Sequence, residues 1–274
     1  MPFSRGHAVI AAVLKRSIPH PQRQISPLID PVTVFIVAGT FLLAGTVKGV
    51  IGLGLPTVSL ALLTATLGLQ PAMALMLAPS FATNLWQAVT GGHERAILTR
   101  LWPFLVAAMA TIWLGAAVSA PIDVALLSAL LGGSLVVYAA IGLGRAQLTL
   151  PPGTERWAGP LAGCVNGILT GMTGSFVVPG VPYLQALGLP RDMLIQAMGV
   201  LFTLSTAALG LALAARGLLG ADLGLQLVAA IPPALLGMAL GRWLRARLPE
   251  ATFRKAFFTV LMALGLYIAA HSLW

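Results

Sequence analysis

Lys48 stands inside the stretch Gly45-Thr46-Val47-Lys48-Gly49-Val50-Ile51-Gly52-Leu53-Gly54-Leu55-Pro56, itself embedded in an apolar run from Val32 to Leu69. Of the chain's 16 basic and 7 acidic residues it is the one that falls neither at a segment end nor in a loop. Glycines and a proline this dense break a helix and free backbone groups that lipid cannot satisfy, so the break belongs inside protein or beside a wet cavity. A cation next to freed backbone N–H groups suits one kind of chemistry, the non-covalent holding of an anion. Half-helix N-termini beginning after Gly52-x-Gly54 and after Gly171-x-x-Gly174 would aim their dipoles at it. Thr83 and Asn84, with Gln87 one turn further on, form a polar stripe on one segment. Asn166, Thr170, Thr173, Ser175, Gln196, Thr203 and Ser205 supply its counterpart in the second half of the chain. The substrate-binding candidates are therefore Lys48, Gly49, Gly52, Gly54, Thr83, Asn84, Gln87, Asn166, Thr170, Gly171, Thr173, Gly174, Ser175 and Thr203. All seven carboxylates lie at predicted segment ends or in loops, whereas a cation site at mid-membrane usually wants one inside.

Each candidate also has a purely structural reading. Lys48 could snorkel to the headgroups from near a helix end. Glycines four apart, as at Gly45/Gly49 and Gly163/Gly167, also let two membrane helices approach closely. Serine and threonine often bond their own helix backbone. Asn84 and Asn166 are costlier to bury, which weights them toward a pathway. Cys164 reads as a small packing residue, and as the single cysteine it allows no internal disulfide.

The surrounding composition sets the class. With 58% hydrophobic and 8% charged residues, against roughly 25% charged in soluble domains, the chain is a polytopic, all-α membrane protein. The net charge of +9 is scattered in short clusters between apolar runs, which excludes a nucleic-acid face and reads as topology signals. Enzymatic function is not expected: His93-Glu94 has no second histidine at the spacing of a zinc protease, no G-x-S-G serine signature occurs, and no intramembrane pair of aspartates is available. No catalytic residue, metal site or cofactor is expected, and the absence of a Walker A sequence leaves ATP-driven transport to another chain.

Residues 1–30 read as a basic tail without a cleaved signal peptide. The first repeat, residues 31–144, holds short helices over Val32–Val50 and Leu53–Gly68, then Pro71–Gly91, Leu101–Ala120 and Val124–Leu143. A hydrophilic connector occupies 145–157, and the second repeat, 158–274, holds a second glycine-rich break followed by Arg191–Arg216, Leu223–Leu240 and Thr252–His271. Leu67-Gly68-Leu69 matches Leu187-Gly188-Leu189 at an offset of 120 positions, which also relates Gly54 to Gly174 and Thr83 to Thr203. The expectation is two internal repeats, together 8–10 transmembrane or half-membrane helices. Basic loops that alternate between equivalent positions favour inverted repeats and place Gly92–Arg100, Arg145–Arg156 and Arg242–Lys255 in the cytoplasm, with the tail outside. Paired broken helices in such repeats point to a secondary transporter with its site between the halves. The competing reading is a polytopic assembly protein without a substrate, for which paired breaks have no use.

Gly45-x-x-Lys48-Gly49-x-x-Gly52-x-Gly54 in one half, and Gly163-x-x-x-Gly167-x-x-x-Gly171-x-x-Gly174 followed by Pro179 in the other, resemble the TauE/SafE family of sulfite and organosulfonate exporters. The resemblance runs from Val32 to the C-terminus, with departures at Ala61, where the family commonly has proline, and at Ser175-Phe176, where it has more glycine. It implies export of small sulfur-containing anions using the proton-motive force, in the bacterial inner membrane. The partners expected are the small anionic substrate and the lipid bilayer; protons and a homo-oligomer are left open, and nucleic acid is excluded.

Overall fold

In the computed structural model the described residues are 31–144, 149–151, 153–219, 223–245, 247 and 249–274. The expected basic tail 1–30 and parts of the connector lie outside them. The chain divides into Met1–Phe35, of which the described part is the start of one helix, and the unit Ile36–Trp274. Among the described residues every regular element is a helix: α1 (Pro31–Ile51), α2 (Leu55–Leu67), α3 (Leu69–Leu75), α4 (Leu77–Val89), α5 (Glu94–Val118), α6 (Val124–Leu143), α7 (Glu155–Thr173), α8 (Gly180–Ala186), α9 (Arg191–Ala215), α10 (Leu223–Ala229), α11 (Ile231–Arg245) and α12 (Glu250–Leu273). Helices satisfy every interior backbone group within one segment, which is what a lipid surround demands. Among the described residues six stretches are long and apolar enough to cross a membrane: Pro31–Ile51, Glu94–Val118, Val124–Leu143, Arg191–Ala215, Gln226–Arg245 and Ala251–Leu273. The protein is a multi-pass membrane protein. Its outer surface carries large apolar side chains, including Leu43, Leu114, Leu126, Leu211, Leu236 and Leu266, and Trp86, Trp102 and Trp157 also lie on that surface.

The interruptions have local causes. After Ile51 the backbone takes φ of 87° at Gly52 and 109° at Gly54, a region that favours glycine; Gly54 then caps α2, with Pro56 in its first turn. The second break differs from its expected form. Gly174 (φ 75°) ends α7, but no helix starts there; Ser175–Pro179 is non-helical and α8 begins at Gly180. A helix starting at Ser175 would hold Pro179 and Pro182 beyond its first three positions, costing hydrogen bonds, whereas a start at Gly180 puts Pro182 in the first turn. The same logic divides the expected helix Leu223–Leu240 ahead of Ile231-Pro232-Pro233, and α11 continues to Arg245.

Glycine seams set the helix pairs and their directions. A Cβ at Gly45 would lie 2.2 Å from the Ala234 carbonyl, and one at Gly49 would lie 2.4 Å from that of Met238, while Gly237 and Gly241 press equally closely on Leu42 and Thr46. Positions rise together, so α1 and α11 run parallel. Gly163, Gly167 and Gly171 meet the carbonyls of Phe104, Ala108 and Ile112 in turn, so α5 and α7 also run parallel. In contrast, Gly210 meets Leu77 and Gly199 meets Ala88, so α4 and α9 are antiparallel. Gly132 against Gly265 and Gly142 against Phe258 give the same sense to α6 and α12.

One end of the bundle gathers the basic segments. Arg100 donates to both Glu155 carboxylate oxygens at 2.8 and 3.0 Å, tying the starts of α5 and α7. The His93 N–H donates to Gln196 Oε1 at 2.9 Å, the end of α6 meets the start of α12, and Gly144, Thr149, Gly188 and Arg254 line one hollow.

Candidate functional site

Lys48 lies in the last turn of α1 and is 3% exposed. Its neighbour Gly49 faces α11, and a helix turns about 100° per residue, so the lysine is swung away from that seam toward α4. There its Nζ donates to Thr83 Oγ1 at 3.2 Å and to Asn84 Oδ1. Thr83 can accept because its own hydroxyl proton is given to the Pro79 carbonyl at 2.8 Å. Among the described residues no carboxylate is within ion-pair distance of Lys48. Taking an ammonium out of water costs several kcal/mol even after relaxation, and neutral partners offset only part of that. The snorkelling alternative is therefore overturned: the amine points inward to another helix. Asn84 is fully buried, and while its Oδ1 takes the lysine, its Nδ2 donor has no partner.

Asn166 on α7 lies in a similar setting. Lys48 immediately precedes seam glycine Gly49, and Asn166 immediately precedes seam glycine Gly167. Asn166 is also fully buried; its Oδ1 accepts the Gly180 N–H at 3.0 Å, and its Nδ2 again has no partner. The α4/α9 register brings the two levels together. Each step along α4 is a step back along α9, so Asn84 stands opposite Thr203, at the middle of α9. Gly180, held by Asn166, packs on Leu201 of the same turn. The buried hydroxyls of Ser80, Ser175 and Ser205 are without partners as well. Buried donors left unmade are costly, and Asn84 and Asn166 each carry one here.

The two breaks do not meet. Gly52 touches Ile195, while Gly174 touches Met73, Leu60 and Met76. By the same register Met76 stands opposite Leu211, which is about 24 Å along α9 from Ile195, with Thr203 midway. The breaks thus flank the level of Lys48 and Asn166, one on each side. Nor are their first-turn donors all free: Pro56 lacks one, and the Gly180 N–H is held by Asn166.

The remaining candidates make contacts within and between helices. Gly49 and Gly171 are spent on helix contact, with a Cβ at Gly171 only 2.2 Å from the Ile112 carbonyl. Thr170 donates to the Ser175 carbonyl at 2.9 Å, and Thr173 donates to Leu169 at 2.7 Å while accepting the Ser175 N–H, so both brace the second break. Gln87 Nε2 donates to the Ile195 carbonyl at 2.6 Å and Gln196 Nε2 to that of Ala88 at 2.9 Å, a reciprocal clasp between α4 and α9. Thr203 donates to Gly199 in its own helix. The Cys164 carbonyl accepts from Thr111 in the α5/α7 seam.

Two features escaped the sequence. The Gly180 N–H as the partner of Asn166 is signalled only by the spacing of Pro179 and Pro182. Arg216, expected as the last residue of the span Arg191–Arg216, binds the Ala116 carbonyl and Ser119 Oγ at the end of α5, a long-range cap with no sequence signal. Among the described residues no cluster could hold a metal ion.

The family model described as sulfite exporter TauE/SafE matches residues 37–268, most of the chain. Comparison with curated proteins and with solved structures found no match.

Proposed function

The chain belongs to the sulfite exporter TauE/SafE family, and from that premise we propose a secondary transporter that exports small sulfur-containing anions from the cytoplasm across the bacterial inner membrane. The observation that carries this reading is Lys48, a buried cation with no carboxylate partner among the described residues, held by Thr83 and Asn84 of α4 at the level of the middle of α9. An oxyanion arriving here gains the ammonium, the Asn84 and Asn166 amide donors and nearby hydroxyls, all of which lack an acidic competitor. Such charge-assisted hydrogen bonds are about twice as strong as neutral ones. Family membership further supports coupling to the proton-motive force, with the protein itself doing no covalent chemistry.

Inverted repeats are part of the proposal. A two-fold axis in the membrane plane that exchanged α1 with α7, α4 with α9, α5 with α11 and α6 with α12 would carry the parallel pair α1/α11 onto the parallel pair α7/α5. It would also force α4/α9 and α6/α12 to be antiparallel, which is how they pack. Lys48 and Asn166 are then symmetry mates with different chemistry, one charged and one neutral, sharing one substrate between two halves that can rock about it.

The test is flux into proteoliposomes with sulfite, sulfate, thiosulfate, sulfonates and carboxylates, with and without a pH gradient. Selective movement of sulfur oxyanions, accelerated by the gradient, is expected; equal leakage of every solute, unaffected by the gradient, would refute it.

A further inference from the structure

A cavity of about 410 Å³ opens at the basic end of the bundle, between the end of α6, the start of α12 and the end of α8. Its wall includes Ile51 and Leu53, the two residues that flank Gly52 in the first break. Ile51 is three residues beyond Lys48, about 4.5 Å along the helix axis. Lys48 itself is not among the residues that line the cavity.

Its lining is amphipathic. Phe258, Ile141, Ile51 and Leu53 give it apolar surface, and Phe258 is fixed edge-on against Tyr138 with ring centroids 5.2 Å apart. Arg254, on the exposed first part of α12, contributes a guanidinium, and among the described residues no carboxylate pairs with it. Gln185 contributes an amide, and Tyr138 is 1% exposed with a hydroxyl that has no hydrogen-bond partner. The volume falls within the range of organic-ligand pockets, far larger than a bare inorganic oxyanion needs.

We propose that this cavity is a binding site for an organic anion, with the anionic head on Arg254 and Gln185, a polar contact to Tyr138, and the carbon chain against Phe258, Ile51 and Leu53. It is a first stop on the route to Lys48, and in that respect it rests on the transport reading. The same chemistry could come from a free organosulfonate or from the head of an anionic lipid.

Purified full-length protein in nanodiscs is titrated calorimetrically with sulfite, methanesulfonate, butanesulfonate and hexanesulfonate. Affinity should rise about four-fold per methylene as the chain fills the apolar wall. Arg254→Gln should weaken hexanesulfonate at least ten-fold, and Tyr138→Phe, which keeps the ring, about three-fold or more. Affinity independent of chain length, or unchanged in Arg254→Gln, would overturn the site. Weaker binding in phosphatidylglycerol nanodiscs than in phosphatidylcholine ones identifies a lipid head as the natural occupant; equal binding identifies a soluble anion. Lys48→Met separates the two proposals. Flux lost with hexanesulfonate binding retained supports both, flux retained with Arg254-dependent binding retires only the mid-membrane site, and binding lost in Lys48→Met retires the separate cavity.

Discussion

Replacing Lys48 with methionine exchanges a buried ammonium for an apolar side chain of nearly the same length. On stability two effects oppose each other. Asn84 Oδ1 loses the lysine, and with Nδ2 already unpartnered the whole amide becomes unsatisfied, a cost of about 1–3 kcal/mol. Removing a desolvated charge that has no counter-ion among the described residues relieves a penalty of several kcal/mol. The fold should therefore be unharmed or stabilised, with the melting temperature equal to or above that of the parent. The substrate sees only loss: a hydrogen bond to a charged donor is worth about 1.5–3 kcal/mol, or roughly ten- to 150-fold in affinity. The assay is sulfite efflux from proteoliposomes at sub-saturating concentration, alongside thermal unfolding in detergent. Unimpaired efflux with normal insertion would refute the reasoning, and so would a collapse of stability, which would make Lys48 a structural residue.

Other outcomes follow from single contacts. Asn166→Ala removes a donor on the proposed pathway and strands the Gly180 N–H, so anion affinity should fall about ten-fold with a stability loss of about 1–3 kcal/mol, read by flux and melting. Gly45→Val drives a side chain into the Ala234 carbonyl and should part α1 from α11, costing about 3 kcal/mol or more and lowering the yield of folded protein in a detergent melt. Glu155→Gln breaks a bidentate pair whose side chains are 41% and 34% exposed, so solvent limits its worth to about 0–1 kcal/mol, and flux should be unchanged.

Much of the candidate site's local geometry could be read in advance because it depends on conformations few residues allow. Gly52, Gly54 and Gly174 take positive φ, and a glycine cluster inside an apolar run announces such a break. Lys48 stood out because no other charge sits so deep in a segment, and Thr83 and Asn84 because with Gln87 one turn further on they form a polar stripe in an apolar segment. What stayed hidden is non-local. Spacing by four is the same for a packing seam and for a substrate cradle, so Gly49 and Gly171 could be assigned only once the backbones of Met238 and Ile112 were seen against them. The level at which each break lies is set by the α4/α9 register, fixed by contacts more than a hundred residues apart in the chain. Hence both breaks were legible, and their separation was not.

That separation makes the two ends of the proposed pathway unequal. At the first break Gly52 has slack, since a Cβ there would find its nearest neighbour, Ile195, at 3.6 Å, and the open cavity adjoins it. At the second break a Cβ on Gly174 would lie 2.8 Å from Met73 Cγ, with Leu60 and Met76 close behind, and Phe176 packs on Phe202. On the inverted-repeat reading this conformation admits solute from the basic end and is closed at the other. Release then requires the second break to loosen, and the residues pressed on it are methionines, whose unbranched side chains repack at little cost. Isoleucine at Met73 and Met76 preserves hydrophobicity but is stiff at χ1. The double variant Met73→Ile/Met76→Ile should bind anion from the basic end as before yet turn over at least several-fold more slowly, seen as a lower maximal flux at unchanged half-saturation. Equal slowing of binding and turnover would mean that the methionines are general packing rather than the closed end of the path.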